Sequence, residues 1–250
     1  MKLCLVIPCY NEADRLHFSA YNDFLKNQNI HLLFVDDGST DATYSLLVKY
    51  TAKHKTKTTL IHLNKNTGKA QAIRIGALAA GHTQCDVLGF WDADLAIPLS
   101  DSLKMLSLFK QDKQILCIFG ARVRMLGSVI QKNWLRHFIG RSFAIMAARL
   151  LNIPFYDPQC GAKLFHKNIA TTIFTSPFQT TWLFDIELIC RLKKVLQTQF
   201  QTSVIETPVS RCTDIPGSKI KIGDYFISLI DFIKLSQSMR YYSPKNKHLK

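Results

Sequence analysis

Strand and helix patterns alternate through the first half of this 250-residue chain, and no other feature constrains its fold more. Short apolar runs predict strands, and the longer amphipathic stretches between them predict helices. Such an alternation is typical of parallel sheets, because each helix carries the chain back to the starting end of the sheet. The sequence therefore predicts an α/β fold, with a mostly parallel, twisted sheet and helices on both faces. The predicted strands are residues 2–8, 31–36, 58–63, 86–91 and 115–121, and the predicted helices end near residue 26, span 40–54 and 69–80, and begin at Pro98.

Polar segments follow the first, second and fourth predicted strands. They are residues 8–12, 36–41 and 92–94. In a parallel sheet the carboxyl ends of the strands lie along one edge, and the ligands of such sheets bind there. We therefore expect the three segments to meet at one binding site.

Asp92 and Asp94 stand one residue apart, directly after an apolar strand. Two carboxylates this close repel each other, and Mg²⁺ or Mn²⁺ commonly links such carboxylates to the phosphates of a ligand. The pair suggests a metal site. A solvated, Asp-rich turn is the alternative interpretation.

Two further segments of this edge suggest nucleotide binding. Asp36 ends a strand, so its carboxylate can accept an N–H of a nucleobase, and Lys69 follows Asn66-x-Gly68 at a predicted helix N-terminus, which favours phosphate. Both segments also have ordinary interpretations, because Asp-Gly turns are common and Ser, Thr and Asp often begin helices.

Basic residues are concentrated in the second half of the chain. The net charge is +14, of which residues 126–250 contribute +10. This excess predicts an anionic partner. Two amphipathic stretches in this half, residues 131–151 and 224–239, are predicted to be helices that lie on an anionic membrane surface. The alternative is that they pack on the domain or on another subunit.

The cysteines and the apolar runs exclude other classes of protein. The seven cysteines are scattered and form no C-x-x-C pair, so we expect neither a disulfide scaffold nor a structural zinc site, and a reducing cytoplasm suits them. The sequence has no signal-peptide pattern at its start and no apolar run near the roughly 20 residues that cross a bilayer. We therefore expect a cytoplasmic protein, peripheral on the cytoplasmic face of a membrane.

The motifs are far more specific in combination than singly. In the first half they are residues 6–12 (Val-Ile-Pro-Cys-Tyr-Asn-Glu), 35–41 (Val-Asp-Asp-Gly-Ser-Thr-Asp), 66–69 (Asn-Thr-Gly-Lys) and 92–94 (Asp-Ala-Asp). In the second half they are residues 157–165 (Asp-Pro-Gln-Cys-Gly-Ala-Lys-Leu-Phe), 184–188 (Phe-Asp-Ile-Glu-Leu) and 217–219 (Gly-Ser-Lys). The combination resembles the family 2 glycosyltransferases of the GT-A fold, closest to their dolichyl-phosphate glucosyltransferase and polyprenyl-phosphate glycosyltransferase branch.

The resemblance runs from about Leu3 to Leu235 and implies an organisation for the chain. Residues 1–220 would be the GT-A catalytic domain, including the acceptor-side amphipathic helix near 131–151. Residues 221–250 would be an amphipathic C-terminal helix followed by a basic tail.

The resemblance also implies roles for individual residues. Asp92 and Asp94 would hold the metal, with water replacing a third ligand because Ala96 stands where mannose synthases often have Gln. Asp157 and Asp94 would be the catalytic residues, with Asp157 serving as a base or only positioning the acceptor. Each basic donor-site residue has the alternative of being a solvated surface charge. The implied donor-binding residues are Pro8, Tyr10, Glu12, Asp36, Asp37, Lys69, Asp92, Ala93, Arg122, Arg136, Arg211, Ser218 and Lys219.

The implied reaction is that of an inverting hexosyltransferase. It would move glucose from UDP-glucose to a polyprenyl or dolichyl phosphate, with Mg²⁺ or Mn²⁺. A GDP-mannose donor and a soluble saccharide acceptor are alternatives. A nucleotidyltransferase is another alternative, but its first loop would be expected to be rich in Gly and to contain Arg. Here the first loop, residues 8–12, is Pro-Cys-Tyr-Asn-Glu. A nucleic-acid-binding module would explain the charge but not the acidic sheet edge, which would repel a phosphate backbone, so we expect no nucleic-acid partner.

Overall fold

A computed structural model of the chain describes residues 1–126, 129–130, 155–213 and 230–235. Seven strands form one sheet in the order β3-β2-β1-β4-β7-β5-β8, and β6 and β9 form a separate parallel pair. Every neighbouring pair in the large sheet is parallel except the two that involve β7, which runs antiparallel to β4 and to β5. The strands are β1 (Leu3–Cys9), β2 (Ile30–Asp36), β3 (Thr58–His62), β4 (Val87–Trp91), β5 (Cys117–Ala121), β6 (Val129–Ile130), β7 (Ala162–His166), β8 (Val204–Pro208) and β9 (Arg211–Cys212).

Helices cover both faces of the sheet, which confirms the predicted α/β fold. One apolar core lies between the sheet and a layer that includes α3 and α6, and a second lies on the opposite face under α1, α2 and α4. Burial on both faces explains why the strands are continuous apolar runs rather than alternating ones. The helices are α1 (Phe18–Leu25), α2 (Thr43–Lys53), α3 (Lys69–Gly81), α4 (Ser100–Gln111), α5 (Lys167–Ile173), α6 (Phe184–Leu196) and α7 (Phe200–Ser203).

The antiparallel strand β7 brings the second half of the chain to the predicted edge. Ala162, the first residue of β7, pairs with Trp91, the last residue of β4. Residues 157–161 therefore approach residues 92–94, although more than 60 positions separate them in sequence.

Two carboxylates hold the loop that precedes α6. Glu187 Oε2 accepts the backbone N–H groups of Gln179 and Thr180 at 2.9 and 3.0 Å. Asp231, on the helical residues 230–235, accepts the N–H groups of Thr181 and Trp182 at 2.8 and 2.7 Å. Residues 230–235 are thus anchored beside the start of α6.

The described part of the chain contains no helix that is long and apolar enough to cross a membrane. All seven cysteines lie within it, and each is buried and unbridged. Residues 230–235 are helical, and the rest of the predicted helix 224–239 lies outside the described residues. The predicted helix at 131–151, with Arg136, and the residues Ser218 and Lys219 lie outside the described residues.

Candidate active site

Hydrogen bonds tie the first two loops of the edge together. The Asn11 side chain accepts the Thr40 N–H at 2.8 Å, while the Asn11 N–H donates to Ser39 Oγ at 3.0 Å. The Glu12 N–H donates to Thr43 Oγ1 at 2.7 Å. The polar residues of both motifs therefore build the loops themselves. The predicted donor-binding residues of the first loop, Pro8, Tyr10 and Glu12, are half-buried there.

Asp37 fixes the start of α3. Its Oδ1 accepts the backbone N–H and the hydroxyl of Thr67 at 2.7 and 2.8 Å, and its Oδ2 accepts the Gly68 N–H at 2.8 Å. Gly38 has a φ of 67°, and a Cβ on it would lie 2.5 Å from the backbone of the loop before α3, so only glycine fits. The Asp-Asp-Gly motif thus determines where Lys69, the first residue of α3, is placed.

Asp36 is fully buried at the end of β2, level with His62 at the end of β3. Its Oδ2 accepts a hydrogen bond from His62 Nδ1 at 2.7 Å. Its Oδ1 has no hydrogen-bond partner among the described residues. A buried acceptor without a donor costs about 1–3 kcal/mol. This oxygen is therefore a place where an N–H group of a ligand would be stabilised.

Asp92, Asp94 and Lys69 form the charged centre of the edge. Lys69 Nζ lies 2.5 Å from Asp92 Oδ1, and Asp94 Oδ1 accepts the Ala96 N–H at 3.1 Å. Burial, and then repulsion from Asp92, raises the pKa of Asp94. Desolvation by itself lowers the pKa of Lys69, but the attraction of Asp92 outweighs desolvation and raises it. Lys69 therefore stays charged, and one carboxylate of the pair still lacks a cation of its own among the described residues.

Gly161 leaves the space that the Asp92 carboxylate occupies. A Cβ on Gly161 would overlap Asp92 Oδ2 and lie 2.5 Å from Asp92 Cγ. Glycine is therefore required at this position for the observed orientation of Asp92.

Arg122 holds Asp157 in a bidentate pair. Arg122 Nε and Nη2 donate to Asp157 Oδ2 and Oδ1 at 2.6 and 2.7 Å, and the Arg122 backbone N–H donates to Oδ2 at 3.0 Å. Desolvation by itself lowers the pKa of Arg122, but hydrogen bonding to Asp157 and its attraction outweigh desolvation and raise it. The pair favours an ionised, fixed carboxylate, which suits a positioning group better than a strong base.

A buried ion pair between Lys163 and Asp185 lies beside the carboxyl edge of the sheet and joins β7 to α6. Lys163 is fully buried, and its Nζ lies 2.7 Å from Asp185 Oδ1 and 2.5 Å from the Cys160 carbonyl oxygen. The same ammonium lies 5.2 Å from the ring centroids of Phe90 and Phe119. Burial raises the pKa of Asp185, and Lys163 opposes this. The pair joins β7 to the first turn of α6, and losing one partner of such a pair typically costs about 3–5 kcal/mol.

The structure gathers most of the predicted site residues along the carboxyl edge of the sheet. Ala93 is buried, and its carbonyl accepts the Tyr21 hydroxyl at 3.0 Å. Arg211 is exposed on β9 and paired with Val129 in register, and two residues further on the Thr213 N–H donates to the Ala96 carbonyl oxygen at 3.1 Å, next to Asp94. His62, Gly161 and Lys163 are the residues that sequence reasoning missed as site residues. Gly161 and Lys163 lie inside a recognised motif, whereas His62 has no motif around it.

The donors present at the charged centre fit a divalent cation. The described residues contain no cluster of three or more His, Cys, Asp or Glu that could hold a metal. Two carboxylates with Ala96 beyond them match an ion that keeps several waters and takes further oxygens from a ligand, as Mg²⁺ does. Lys69 on Asp92 shows that this position already attracts a positive charge.

Comparisons with known proteins agree with this geometry. Residues 4–174 match the family described as Glycosyl transferase family 2. The chain is 30% identical to a dolichyl-phosphate beta-glucosyltransferase of Dictyostelium discoideum, over 93% of this chain and 72% of that protein. It is 31% identical to the enzyme of the same name from Drosophila melanogaster, over 88% and 69%, and 30% identical to the human one, over 88% and 69%.

The fold is also that of solved glycosyltransferases. A structure of glucosyl-3-phosphoglycerate synthase from Mycobacterium tuberculosis with Mn²⁺, UDP and glucosyl-3-phosphoglycerate has a TM-score of 0.63 and 14% identity, over 98% of this chain and 81% of that chain. A UDP complex of the same enzyme has a TM-score of 0.65 and 15% identity, over 99% and 83%. At this identity the likeness concerns the fold, which is GT-A.

Proposed function

The chain belongs to glycosyl transferase family 2, and on that premise we propose that it transfers glucose from UDP-glucose to the phosphate of dolichol or another polyprenol. It is a glycosyltransferase, and its relatives named above carry this glucosyltransferase activity in their names. The observation that carries the proposal is the Lys69–Asp92 ion pair beside Asp94 at the carboxyl edge of the sheet. This combination of a cation and two carboxylates suits a nucleoside diphosphate bound with a metal ion.

The first and second loops would bind the donor nucleotide. Asp36 Oδ1 would accept an N–H of the base, and Asp37 would hold the loop before Lys69, whose ammonium would contact the diphosphate. Lys69 is the first residue of α3, where the helix dipole also favours phosphate. The remaining donor-side residues in this proposal are Pro8, Tyr10, Glu12, Ala93, Arg122 and Arg211, together with Arg136, Ser218 and Lys219.

Asp92 and Asp94 would hold the divalent cation, Mg²⁺ or Mn²⁺. When bound, such an ion offsets the negative charge that develops on the departing nucleoside diphosphate. Lys69 would then share the phosphates with the ion rather than serve Asp92 alone. Burial and mutual repulsion, which raise the pKa of Asp94, mean that protons compete with the ion for this carboxylate at acid pH.

The reaction would be a single displacement with inversion. An oxygen of the acceptor phosphate attacks the anomeric carbon, the bond from that carbon to the diphosphate breaks, and the electron pair leaves with UDP. The acceptor phosphate is already ionised near neutral pH, since its second pKa is about 6. Asp157, fixed by Arg122, would therefore position the acceptor rather than remove a proton from it.

The lipid part of the acceptor would lie at a membrane surface on which the enzyme docks peripherally, at the cytoplasmic face. Leu126 is fully exposed, and Val129 and Tyr156 are also exposed on the segments that flank residues 131–154. Exposed apolar side chains together with an excess of basic charge suit an anionic leaflet.

A donor and acceptor panel tests the proposed function. UDP-glucose, GDP-mannose and other UDP-sugars are supplied with Mg²⁺ or Mn²⁺, with and without a short polyprenyl phosphate. We expect glucose transfer to the lipid phosphate with inversion at the anomeric carbon, read by NMR, and loss of transfer on chelation of the metal. A preference for GDP-mannose, or efficient transfer to a soluble saccharide only, would contradict the proposal.

A further inference from the structure

His62 is hydrogen-bonded to one of the two carboxylate oxygens of Asp36, the residue that would bind the nucleobase. It ends β3 in register with Asp36 at the end of β2, so the two side chains lie on the same face of neighbouring strands. The distance from His62 Nδ1 to Asp36 Oδ2 is 2.7 Å. An ionised carboxylate only accepts hydrogen bonds, so Nδ1 carries the proton and donates it. One oxygen of Asp36 is therefore already used by the protein.

The imidazole of His62 is also held from its other side. Its ring centroid lies 4.1 Å from that of Tyr44, with the planes inclined by 33°. Tyr44 is on α2, so the ring of His62 is fixed between a helix and the neighbouring strand. This contact favours the ring orientation in which Nδ1 faces Asp36 Oδ2.

The remaining oxygen suits one class of base. Asp36 Oδ1 is buried with no hydrogen-bond partner among the described residues. Uracil has a single imide N–H between two carbonyls and needs one acceptor. Guanine has a ring N–H and an exocyclic amino group side by side, which together match both oxygens of a carboxylate, as bidentate donors do. With Oδ2 taken by His62, guanine would leave one donor unpaired, and an unpaired polar group is costly.

We propose that His62 determines the nucleobase specificity of the donor site, favouring uracil and rejecting guanine by occupying Asp36 Oδ2. The inference rests on the proposed function, in which Asp36 binds the base. Oδ1 is buried in this structure, so the proposal requires the groups that cover it to move when the base binds. His62 acts through Asp36 and is a positioning residue.

Three substitutions of His62 separate the effect of its Nδ1–H hydrogen bond from the effect of its ring. His62→Asn keeps an N–H near the position of Nδ1, His62→Phe keeps a ring against Tyr44 without a donor, and His62→Ala leaves Oδ2 open without adding volume. The matched control is His31→Phe. His31 lies near the start of β2, and its Nε2 is 2.8 Å from Thr59 Oγ1 on β3, so this control breaks a histidine hydrogen bond between the same strands far from the edge.

Calorimetric affinities for UDP and GDP, at one fixed concentration of Mn²⁺, test the proposal. We expect His62→Ala, which opens Oδ2 to a second donor of the base, to reduce the UDP-to-GDP affinity ratio about tenfold, the effect of one hydrogen bond to a charged group. His62→Phe, whose ring still covers Oδ2, should keep the ratio within about threefold of the native one while weakening the binding of both nucleotides. His62→Asn should stay within about threefold of the native ratio, and His31→Phe should not change it. In turnover, His62→Ala should raise KM for UDP-glucose more than it lowers kcat, because base binding is shared by ground and transition states.

The outcomes are distinguishable. If His62→Ala keeps the native UDP-to-GDP affinity ratio and only melts at a lower temperature, His62 is merely structural and the inference is wrong. If the native protein binds neither nucleotide, the proposed function fails, and this inference fails with it.

Discussion

One absent methyl group at Gly161 leaves room for the Asp92 carboxylate. We expect Gly161→Ala to reduce transfer by about 10–100-fold, because the Cβ would displace that carboxylate and a misplaced supporting group typically costs this much. Stability should change little, since the displaced group is the end of a side chain. Activity and thermal melting measure the two effects.

A double-mutant cycle gives the control for this prediction. With Asp92→Ala already present, adding Gly161→Ala should cause no further loss, since the displaced carboxylate is gone. An equal loss in both backgrounds would mean that Gly161 acts through something other than Asp92.

Asp94 is expected to lower the stability of the metal-free protein at neutral pH. Burial and repulsion from Asp92 raise its pKa, so the folded protein binds this proton more tightly than the unfolded chain does. Protonated Asp94 therefore contributes to the free energy of unfolding at acid pH, and this contribution is lost as the pH rises through the raised pKa. Asp94→Asn should therefore melt higher than the native protein at neutral pH, with the difference vanishing at acid pH.

The same substitution should abolish most of the activity. In the proposed function this charge serves the metal and the diphosphate, so its loss should cost several kcal/mol, or at least about 100-fold in rate. Melting curves without divalent cation, and transfer assays with it, measure both effects. A variant that is active, or less stable than the native protein at neutral pH, would contradict the assignment.

Single residues also mark the limit of sequence reasoning about the site. The places of Asp36 and Asp92 at the sheet edge could be predicted, because Asp36 ends β2 and Asp92 directly follows β4, each within a recognisable motif. His62 also ends a strand, but its partner lies on a neighbouring strand 26 positions away, and only the strand register reveals it. Lys163 was not predicted as buried, because lysine is almost never fully buried unless it is paired, and its partner Asp185 lies in another element.

At the scale of elements, the first half of the sheet follows from local pattern. The first five strands and first four helices lie within about three residues of the predicted bounds, because their periodicity is a property of the local sequence. The position of β7 does not follow in this way. Its five residues pair antiparallel between β4 and β5, so its place depends on partners distant in sequence.

Helix α3 lies unusually close to the sheet. A Cβ on Gly76 would overlap Val6 Cγ1 and lie 2.9 Å from Val35 Cγ2. Gly76→Ala should therefore lower the free energy of unfolding by about 1–3 kcal/mol, because the added methyl group overpacks the core. The higher helix propensity of alanine offsets up to about 1 kcal/mol of this loss. Because Lys69 begins the same helix, a displaced α3 should also weaken UDP binding.

Gly81→Ala is the matched control, since it lies in the same helix and its Cβ would approach only the Thr171 methyl group, at 3.0 Å. Chemical unfolding and calorimetry compare the two variants. Equal stability would contradict the close approach of α3 to β1 and β2.

At the scale of the whole molecule, charge and exposed apolar groups together suggest a membrane-facing side. The net charge is +14, and Ile230 and Ile233, three positions apart on one helical segment, are both about half exposed. Each basic residue near an anionic leaflet contributes about 1 kcal/mol, an effect that salt screens over about 10 Å at 0.1 M. Apolar anchoring is not screened, so the two contributions separate with salt.

Replacing Ile230 and Ile233 together with Ser should weaken binding to anionic vesicles at least about tenfold at high salt, where only the apolar contribution remains, and less at low salt. Transfer to a long-chain polyprenyl phosphate should fall in parallel, while hydrolysis of the donor, whose proposed site is at the sheet edge, should persist. The control is Val195→Ser, an apolar residue of similar exposure on α6. Co-sedimentation with vesicles of stated anionic content measures binding. If the double variant sediments like the native protein at high salt, Ile230 and Ile233 do not anchor the protein, and this face does not dock on a membrane through them. If the native protein ignores anionic lipid and glucosylates a soluble acceptor, the basic charge does not contribute to acceptor capture either, and the membrane-facing side is wrong.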